Sequence, residues 1–169
     1  VEAADLDGDG DLDLVGVTSD PGDGELFWYE NTGSGLIGRF AARETIDHAP
    51  GSPGFVHAGD LDGDGDLDLV TTAFDDESHG WYENLGGGTF GPRTVITTAS
   101  GGHADFSVVD LDEDGDQDLL LTHWIGNVVS WQENLGGGAT WAAHTVGTVL
   151  YDPYSAFAED LDGDGDLDV

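Results

Sequence analysis

Asp60-Leu61-Asp62-Gly63-Asp64-Gly65-Asp66-Leu67-Asp68 is the stretch on which the reading of this chain turns. Carboxylates at loop positions 1, 3 and 5 converge on one point when the chain curls, and Gly at position 6 permits the sharp turn. Position 7 offers a backbone carbonyl and position 9 a further carboxylate. Leu at positions 8 and 10 is expected to anchor the loop to the following strand and the core. Oxygen donors of this number and charge suit Ca²⁺, whereas Mg²⁺ keeps its water and Zn²⁺ calls for His or Cys.

The stretch occurs four times. Asp5–Val15, Asp60–Val70, Asp110–Leu120 and Asp160–Val169 align without a gap, their starts 55, 50 and 50 residues apart. The alternative reading of a single Asp-rich loop is a solvated turn, since Asp and Gly are ordinary turn formers. Repeating it four times without a counter-ion would leave uncompensated repulsion in every copy. The expected side-chain ligands are Asp5, Asp7, Asp9 and Asp13; Asp60, Asp62, Asp64 and Asp68; Asp110, Asp112, Asp114 and Asp118; Asp160, Asp162, Asp164 and Asp168. Asp11, Asp66, Asp116 and Asp166 are read as main-chain ligands with side chains facing solvent, which gives about one Ca²⁺ per loop over four loops. An EF-hand begins alike but needs a bidentate Glu at position 12, where this chain has Gly16, Thr71 or Leu121.

Outward from the loops, further landmarks recur. Trp28-Tyr29-Glu30-Asn31, Trp81-Tyr82-Glu83-Asn84 and Trp131-Gln132-Glu133-Asn134 follow at near-constant offsets, each succeeded by a Gly-rich turn and an aromatic, Phe40, Phe90 or Trp141. The intervening stretches, such as Thr94-Val95-Ile96-Thr97 and Gly54-Phe55-Val56-His57-Ala58, are rich in β-branched residues, and none holds a helical period for three turns. Four short antiparallel strands in about 50 residues, repeated in tandem, predict an all-β chain of β-propeller blades. With the Asp loop between first and second strands, residues 1–169 form one propeller segment. Its blades lie at roughly 1–53, 54–103 and 104–153, with 154–169 beginning a fourth. Three blades do not close a ring, so the open blade edges are expected to be completed by a longer chain or by head-to-tail self-assembly.

Composition limits the partners. Against 36 Asp plus Glu stand three basic residues, a formal net charge of −33, which repels nucleic acid and anionic membrane surfaces. The windows 5–13, 60–68, 110–118 and 160–168 hold 21 of those acids, so the charge belongs to cages more than to a general acidic surface. The absence of Cys excludes disulfides and thiolate metal sites, and no apolar run is long enough for a membrane helix. No nucleic acid and no membrane insertion are expected.

The loops, continued by Leu-Asp-Leu-Val and Trp-Tyr-Glu-Asn, resemble the FG-GAP and VCBS-type repeats of the integrin α-subunit propeller and of many bacterial surface and secreted proteins, most closely the bacterial type. The resemblance covers the whole chain, with Glu113 in place of the loop Gly, Gln117 in place of Leu and Gln132 in place of Tyr as departures. It implies a six- to eight-bladed propeller with peripheral Ca²⁺, in an extracellular protein of adhesion, carbohydrate binding or scaffolding.

Other candidate sites carry weaker signals. None of the six His recurs in the repeat, so each reads as a surface or structural His. Trp28, Trp81 and Trp131, fixed in the repeat, read as inter-blade core, while Trp124, Tyr151 and Tyr154 read as ligand candidates lacking an aromatic at the aligned positions. Free acids such as Glu44 and Glu77 have no evident partner for glycoside hydrolysis, so no catalytic residue is assigned. The expectation is a non-enzymatic, calcium-binding extracellular propeller with a protein or glycan ligand at a cell surface. The alternatives are a lectin-like module and the accessory propeller of a polysaccharide-degrading enzyme.

Overall fold

The structure is a computed structural model that describes residues 1–20, 23–33, 39–48, 51–98, 102–148 and 151–169. It contains β1 (Glu2–Ala4), β2 (Asp13–Thr18), β3 (Glu25–Tyr29), β4 (Glu44–Asp47), β5 (Pro53–Gly59), β6 (Asp68–Ala73), β7 (Ser78–Tyr82), β8 (Thr94–Thr98), β9 (His103–Val109), β10 (Asp118–His123), β11 (Val128–Asn134) and β12 (Trp141–Thr148). Three four-stranded antiparallel sheets result, in the orders β1-β2-β3-β4, β5-β6-β7-β8 and β9-β10-β11-β12. Each is one propeller blade, with its Asp loop joining the first strand to the second.

Strand composition follows position in the blade. The second strands β6 (DLVTTA) and β10 (DLLLTH) are buried at every residue, which is why they read as near-continuous apolar and Thr runs. The fourth strands β4 and β8 are mainly exposed or half-buried and carry Glu, Thr and Asp. On the third strand the Trp stands opposite an aliphatic residue of the second, in the pairs Val15↔Trp28, Val70↔Trp81 and Leu120↔Trp131. In all three blades the pairing of third with fourth strand shifts register immediately before that Trp, at Leu26/Phe27, His79/Gly80 and Val129/Ser130. A bulge in the same place in each blade adds twist where the outer strand leaves the core.

The chain forms two compact units, Val1–Asp60 with Asp64–Thr98, and Leu61–Gly63 with Ala99–Val169. In the first unit Ala4, Leu6, Val15, Leu26, Trp28, Val56, Leu69 and Tyr82 make one buried cluster. Fully burying a side chain such as Leu6 contributes about 2 kcal/mol. Polar links join its two blades. Asn84 Nδ2 donates to Leu6 O at 2.8 Å, Tyr82 Oη to Asp47 Oδ2 at 3.0 Å and Ala58 N to Glu2 Oε1 at 3.2 Å. His57 Nδ1 lies 2.8 Å from Glu2 Oε2. The Trp28 indole packs against Gly88, where a Cβ would approach its Cη2 to 2.6 Å, so this repeated Trp is interior as expected. In the second unit Phe106, Leu119, Leu120, Leu121 and Val129 are buried, and Asn134 Nδ2 donates to Leu61 O at 2.7 Å.

In the second and third blades the asparagine that ends the Trp-x-Glu-Asn motif thus fastens one loop to another. Asn84 also donates to Leu67 O at 3.0 Å and accepts from Gly86 N at 3.1 Å, all while buried. Asn31, half-buried, donates its Nδ2 to Leu12 O of its own loop at 3.0 Å. Orphaning buried backbone groups costs roughly 1–3 kcal/mol each. Asn84→Ala is therefore expected to destabilise the protein by about 3 kcal/mol and Asn31→Ala by about 1 kcal/mol. Urea denaturation midpoints at constant slope check the difference, and equal shifts would remove the inter-loop role of Asn84.

Candidate metal centre

Each Asp loop curls around its own carboxylates. The position-1 Asp accepts from the backbone N–H at position 6 in every loop: Gly10 to Asp5 at 3.0 Å, Gly65 to Asp60 at 3.0 Å, Gly115 to Asp110 at 3.1 Å and Gly165 to Asp160 at 3.2 Å. That position-6 Gly has φ between +93° and +105°, a conformation that side-chain-bearing residues avoid, which explains its place in all four copies. Position 5 accepts from the position-7 N–H, as Asp9 does from Asp11 at 2.8 Å and Asp64 from Asp66 at 2.9 Å.

Position 9 has a second task. Asp13, Asp68 and Asp118 are fully buried. Asp118 accepts from Leu111 N through Oδ2 and from Asn134 N through Oδ1, at 2.9 and 2.8 Å, and Asp13 accepts in the same way from Leu6 N and Asn31 N at 2.9 and 2.7 Å. Asp68 accepts from Asn84 N at 2.8 Å, and Asp168 from Leu161 N at 3.1 Å. These bonds close the loop and tie it to the end of the third strand.

Of the sequence-predicted ligands, the structure brings together positions 1, 3 and 9. Carboxylate oxygens of Asp5, Asp7 and Asp13 all lie within 4.8 Å of one another, as do those of Asp60, Asp62 and Asp68, of Asp110, Asp112 and Asp118, and of Asp160, Asp162 and Asp168. The position-5 residues Asp9, Asp64, Asp114 and Asp164 stand outside these triads, engaged with the following N–H. The position-7 side chains depart from the expected solvent orientation. Asp11, Asp66 and Asp116 are half-buried, and Asp66 Oδ2 and Asp116 Oδ2 lie 3.5 and 3.6 Å from where a Cβ would stand on Gly86 and Gly136. Only Asp166 is exposed.

Three all-oxygen carboxylates converging without a basic residue among them make a site that can hold a hard metal ion. The third loop supplies an independent mark of that fit. Glu113 replaces Gly at position 4 and is held at φ +61°, and Asp110 Oδ1, fully shielded from solvent, has no hydrogen-bond partner. The matching oxygens of Asp5 and Asp160 accept from Gly8 N and Gly163 N at 2.9 and 2.7 Å. A buried carboxylate oxygen left unsatisfied beside two other carboxylates is a place for a cation.

In the first loop the anchoring role expected of the position-8 Leu belongs to position 2, whereas Leu67 at position 8 of the second loop packs, half-buried, against the core as expected. Leu12 is 59% exposed, whereas Leu6 and Leu61 are fully buried; at position 10 the expectation holds for Leu69 and Leu119. The loop pattern is nearly symmetrical, so both leucines look alike in sequence. The constant Asn three residues after each Trp does not separate them, because its side chain donates to the position-8 carbonyls of Leu12, Leu67 and Gln117 as well as to the position-2 carbonyls of Leu6 and Leu61.

Elsewhere, His79 and His123 are buried, His57 pairs with Glu2, and His144 Nε2 contacts Glu133 Oε2 at 2.6 Å while stacking on Trp131 at 4.7 Å. The side chain of His103 lies outside the described residues. Trp124, Tyr151 and Tyr154 are exposed, but Trp124 does have an aromatic counterpart: Phe74 follows β6 as Trp124 follows β10. Among the described residues no helix is long and apolar enough to cross a membrane.

A family model described as an FG-GAP-like repeat matches residues 5–71 and 60–121. Among solved structures, one described as the structural basis of specific recognition of non-reducing terminal N-acetylglucosamine by an Agrocybe aegerita lectin is 25% identical, with a TM-score of 0.69. The match covers 98% of this chain and 44% of the lectin chain, so the chain spans less than half of that protein's length. Comparison with curated proteins gives no match.

Burial raises the Asp118 carboxyl from 3.8 to about 6, the neighbouring Asp112 and Asp114 charges adding to the rise and the Asn134 and Leu111 N–H bonds opposing it. Burial raises Asp7 and Asp112 as well. A raised carboxyl holds a proton in the folded state that the unfolded chain has released, so its contribution to stability falls as pH rises from 3.8 to about 6. In excess chelator the Asp118 side chain is expected to titrate near pH 6 by carboxyl-carbon NMR. Titration at the ordinary carboxylate value would show that the loop opens to water without an ion.

Proposed function

Because the chain belongs to the FG-GAP-like repeat family, we propose that it is a calcium-binding, non-catalytic β-propeller module that serves adhesion, scaffolding or protein–protein assembly outside the cell. The observation that carries this reading is the same carboxylate triad built four times, with the shielded Asp110 Oδ1 left for a cation in the third. Calcium fits the donor set because it accepts many oxygen ligands in flexible geometry and asks for neither imidazole nor thiolate. The triad carboxylates would hold it, joined by the position-5 carboxylate and the position-7 carbonyl to reach the ligand number calcium takes. The ion would supply charge compensation and fix the loop. The strand ends and the asparagine at each third strand would then be held in one geometry.

Extracellular modules of this kind bind calcium with dissociation constants on the order of 10⁻⁴–10⁻³ M, which matches free calcium outside cells and not within the cytosol. That supports a cell-surface or secreted setting for the protein. A second reading, a lectin-like propeller for glycans, is favoured by the likeness to the N-acetylglucosamine-recognising lectin and by the exposed aromatic residues of the third blade.

Calcium titration by equilibrium dialysis is expected to find four bound ions, one per triad. Saturation at about 100 times the dissociation constant adds roughly 2.7 kcal/mol per independent site, so thermal unfolding in excess calcium should occur at a markedly higher midpoint than in chelator. Asp64→Ala is expected to weaken calcium binding at the second loop, by removing its position-5 ligand, while leaving the other sites occupied. Identical unfolding midpoints in calcium and in chelator would reduce the loops to acidic turns.

A further inference from the structure

The turn between β10 and β11, Trp124-Ile125-Gly126-Asn127, opens on a tryptophan that is fixed in place. Its backbone N donates to Gly102 O at 3.1 Å, and its indole packs on Gly102, where a Cβ would come within 2.6 Å of Cδ1. Gly102 has φ +64°, so both the backbone and the space there favour glycine. The tryptophan is nevertheless 44% exposed. The segment after β12 returns to the same turn: Asp152 N donates to Asn127 Oδ1 at 2.8 Å, which sets Tyr151 and Asp152 beside it. Tyr151 is 86% exposed and Tyr154 74%. At the equivalent turn of the second blade, Phe74 packs edge-on to Phe55 at 6.2 Å, and the residue aligned with Tyr151 is Gly101, so aromatic residues at both positions occur in the third blade and not in the second.

We infer that Trp124 and Tyr151 form an aromatic platform for the ring face of a neutral glycan, with Asp152 accepting hydrogen bonds from sugar hydroxyls. Exposed aromatics grouped around one hydrogen bond mark an interaction surface, since leaving them in water forgoes hydrophobic stabilisation. Aromatic faces suit the C–H-bearing face of a pyranose, and a carboxylate is an acceptor matched to hydroxyl donors. Because Gly102 already holds the indole, little side-chain freedom is lost on binding. The net charge of −33 disfavours sialylated, sulfated or uronic glycans and leaves the neutral ones. The site rests on the reading of the chain as a binding module and is separate from the Asp loops.

The test uses the full chain in saturating calcium against immobilised neutral oligosaccharides of the chito-, cello-, manno- and galacto-series, with sialylated glycans alongside. Tryptophan fluorescence titration quantifies any hit. Retention on a neutral glycan is expected, weakened about tenfold or more by Trp124→Ala or Tyr151→Ala, as for an aromatic hot spot. Trp124→Phe and Asp152→Asn should each lose part of the affinity, and Phe74→Ala none. Bound calcium, counted on every variant, reports folding; should Trp124→Ala lose its ions, Tyr151→Ala and Asp152→Asn decide. Absence of neutral-glycan binding with calcium stoichiometry intact overturns the platform and leaves the calcium reading standing. Binding that survives both ring removals, or a preference for anionic glycans, overturns it equally.

Discussion

A carboxylate buried at the start of every second strand is what the rest of each blade is arranged around. Asp13, Asp68 and Asp118 sit where water does not reach, and a buried charge is tolerated only when its oxygens are satisfied. The main chain meets that demand, with donors from the position-2 Leu and from the asparagine at or just after the end of the third strand. Those two donors come from opposite ends of the blade's loop-and-strand pair, so satisfying one side chain fixes the curl of the loop and the end of the Trp strand together. The neighbouring carboxylates at positions 1 and 3 then gather at the mouth of the curl. Their mutual repulsion is the cost of the arrangement, and a divalent cation offsets it.

Much of this was legible in the sequence because it repeats. The spacing of the Asp loops and of Trp28, Trp81 and Trp131 defines blades, and the β-branched stretches between them define strands whose order the sheets reproduce. Residue type also identified the metal-capable side chains, since Asp without His or Cys leaves few other chemistries. What sequence could not show was direction. Asp13 and Asp9 are the same residue two turns of the pattern apart, yet one faces the interior and the other the surface. Leu6 and Leu12 flank the loop alike in sequence, and an asparagine side chain reaches the carbonyl of each, yet the first is a core residue and the second lies in solvent. The half-buried side chains of Asp66 and Asp116 likewise depend on the Gly-rich turn folding back over the loop, a contact between segments about 20 residues apart.

The copies also differ in ways that periodicity hides. Glu113 occupies a left-handed position that glycine fills in the other loops, a backbone cost on the order of 1 kcal/mol, and the change coincides with the loss of an N–H bond to Asp110 Oδ1. The third blade is also the one that carries Gln117 and Gln132 in place of the apolar or aromatic residues of its siblings, and whose Trp131 stacks on His144 instead of lying in a buried cluster. The third blade thus carries several substitutions of its own, whereas its asparagine bonds and the bulge before its Trp are kept.

The seam formed by Asn84 on Leu6 O, and again by Asn134 on Leu61 O, has a consequence for how such a chain grows. The acceptor is a main-chain carbonyl, present whatever side chain its residue carries, and the donor travels within its own blade's motif. A newly duplicated blade therefore arrives with half of its junction and finds the other half already in place on the blade before it. No matching pair of substitutions has to arise in concert, so arrays of this repeat can lengthen, shorten or exchange members while each boundary keeps its polar link.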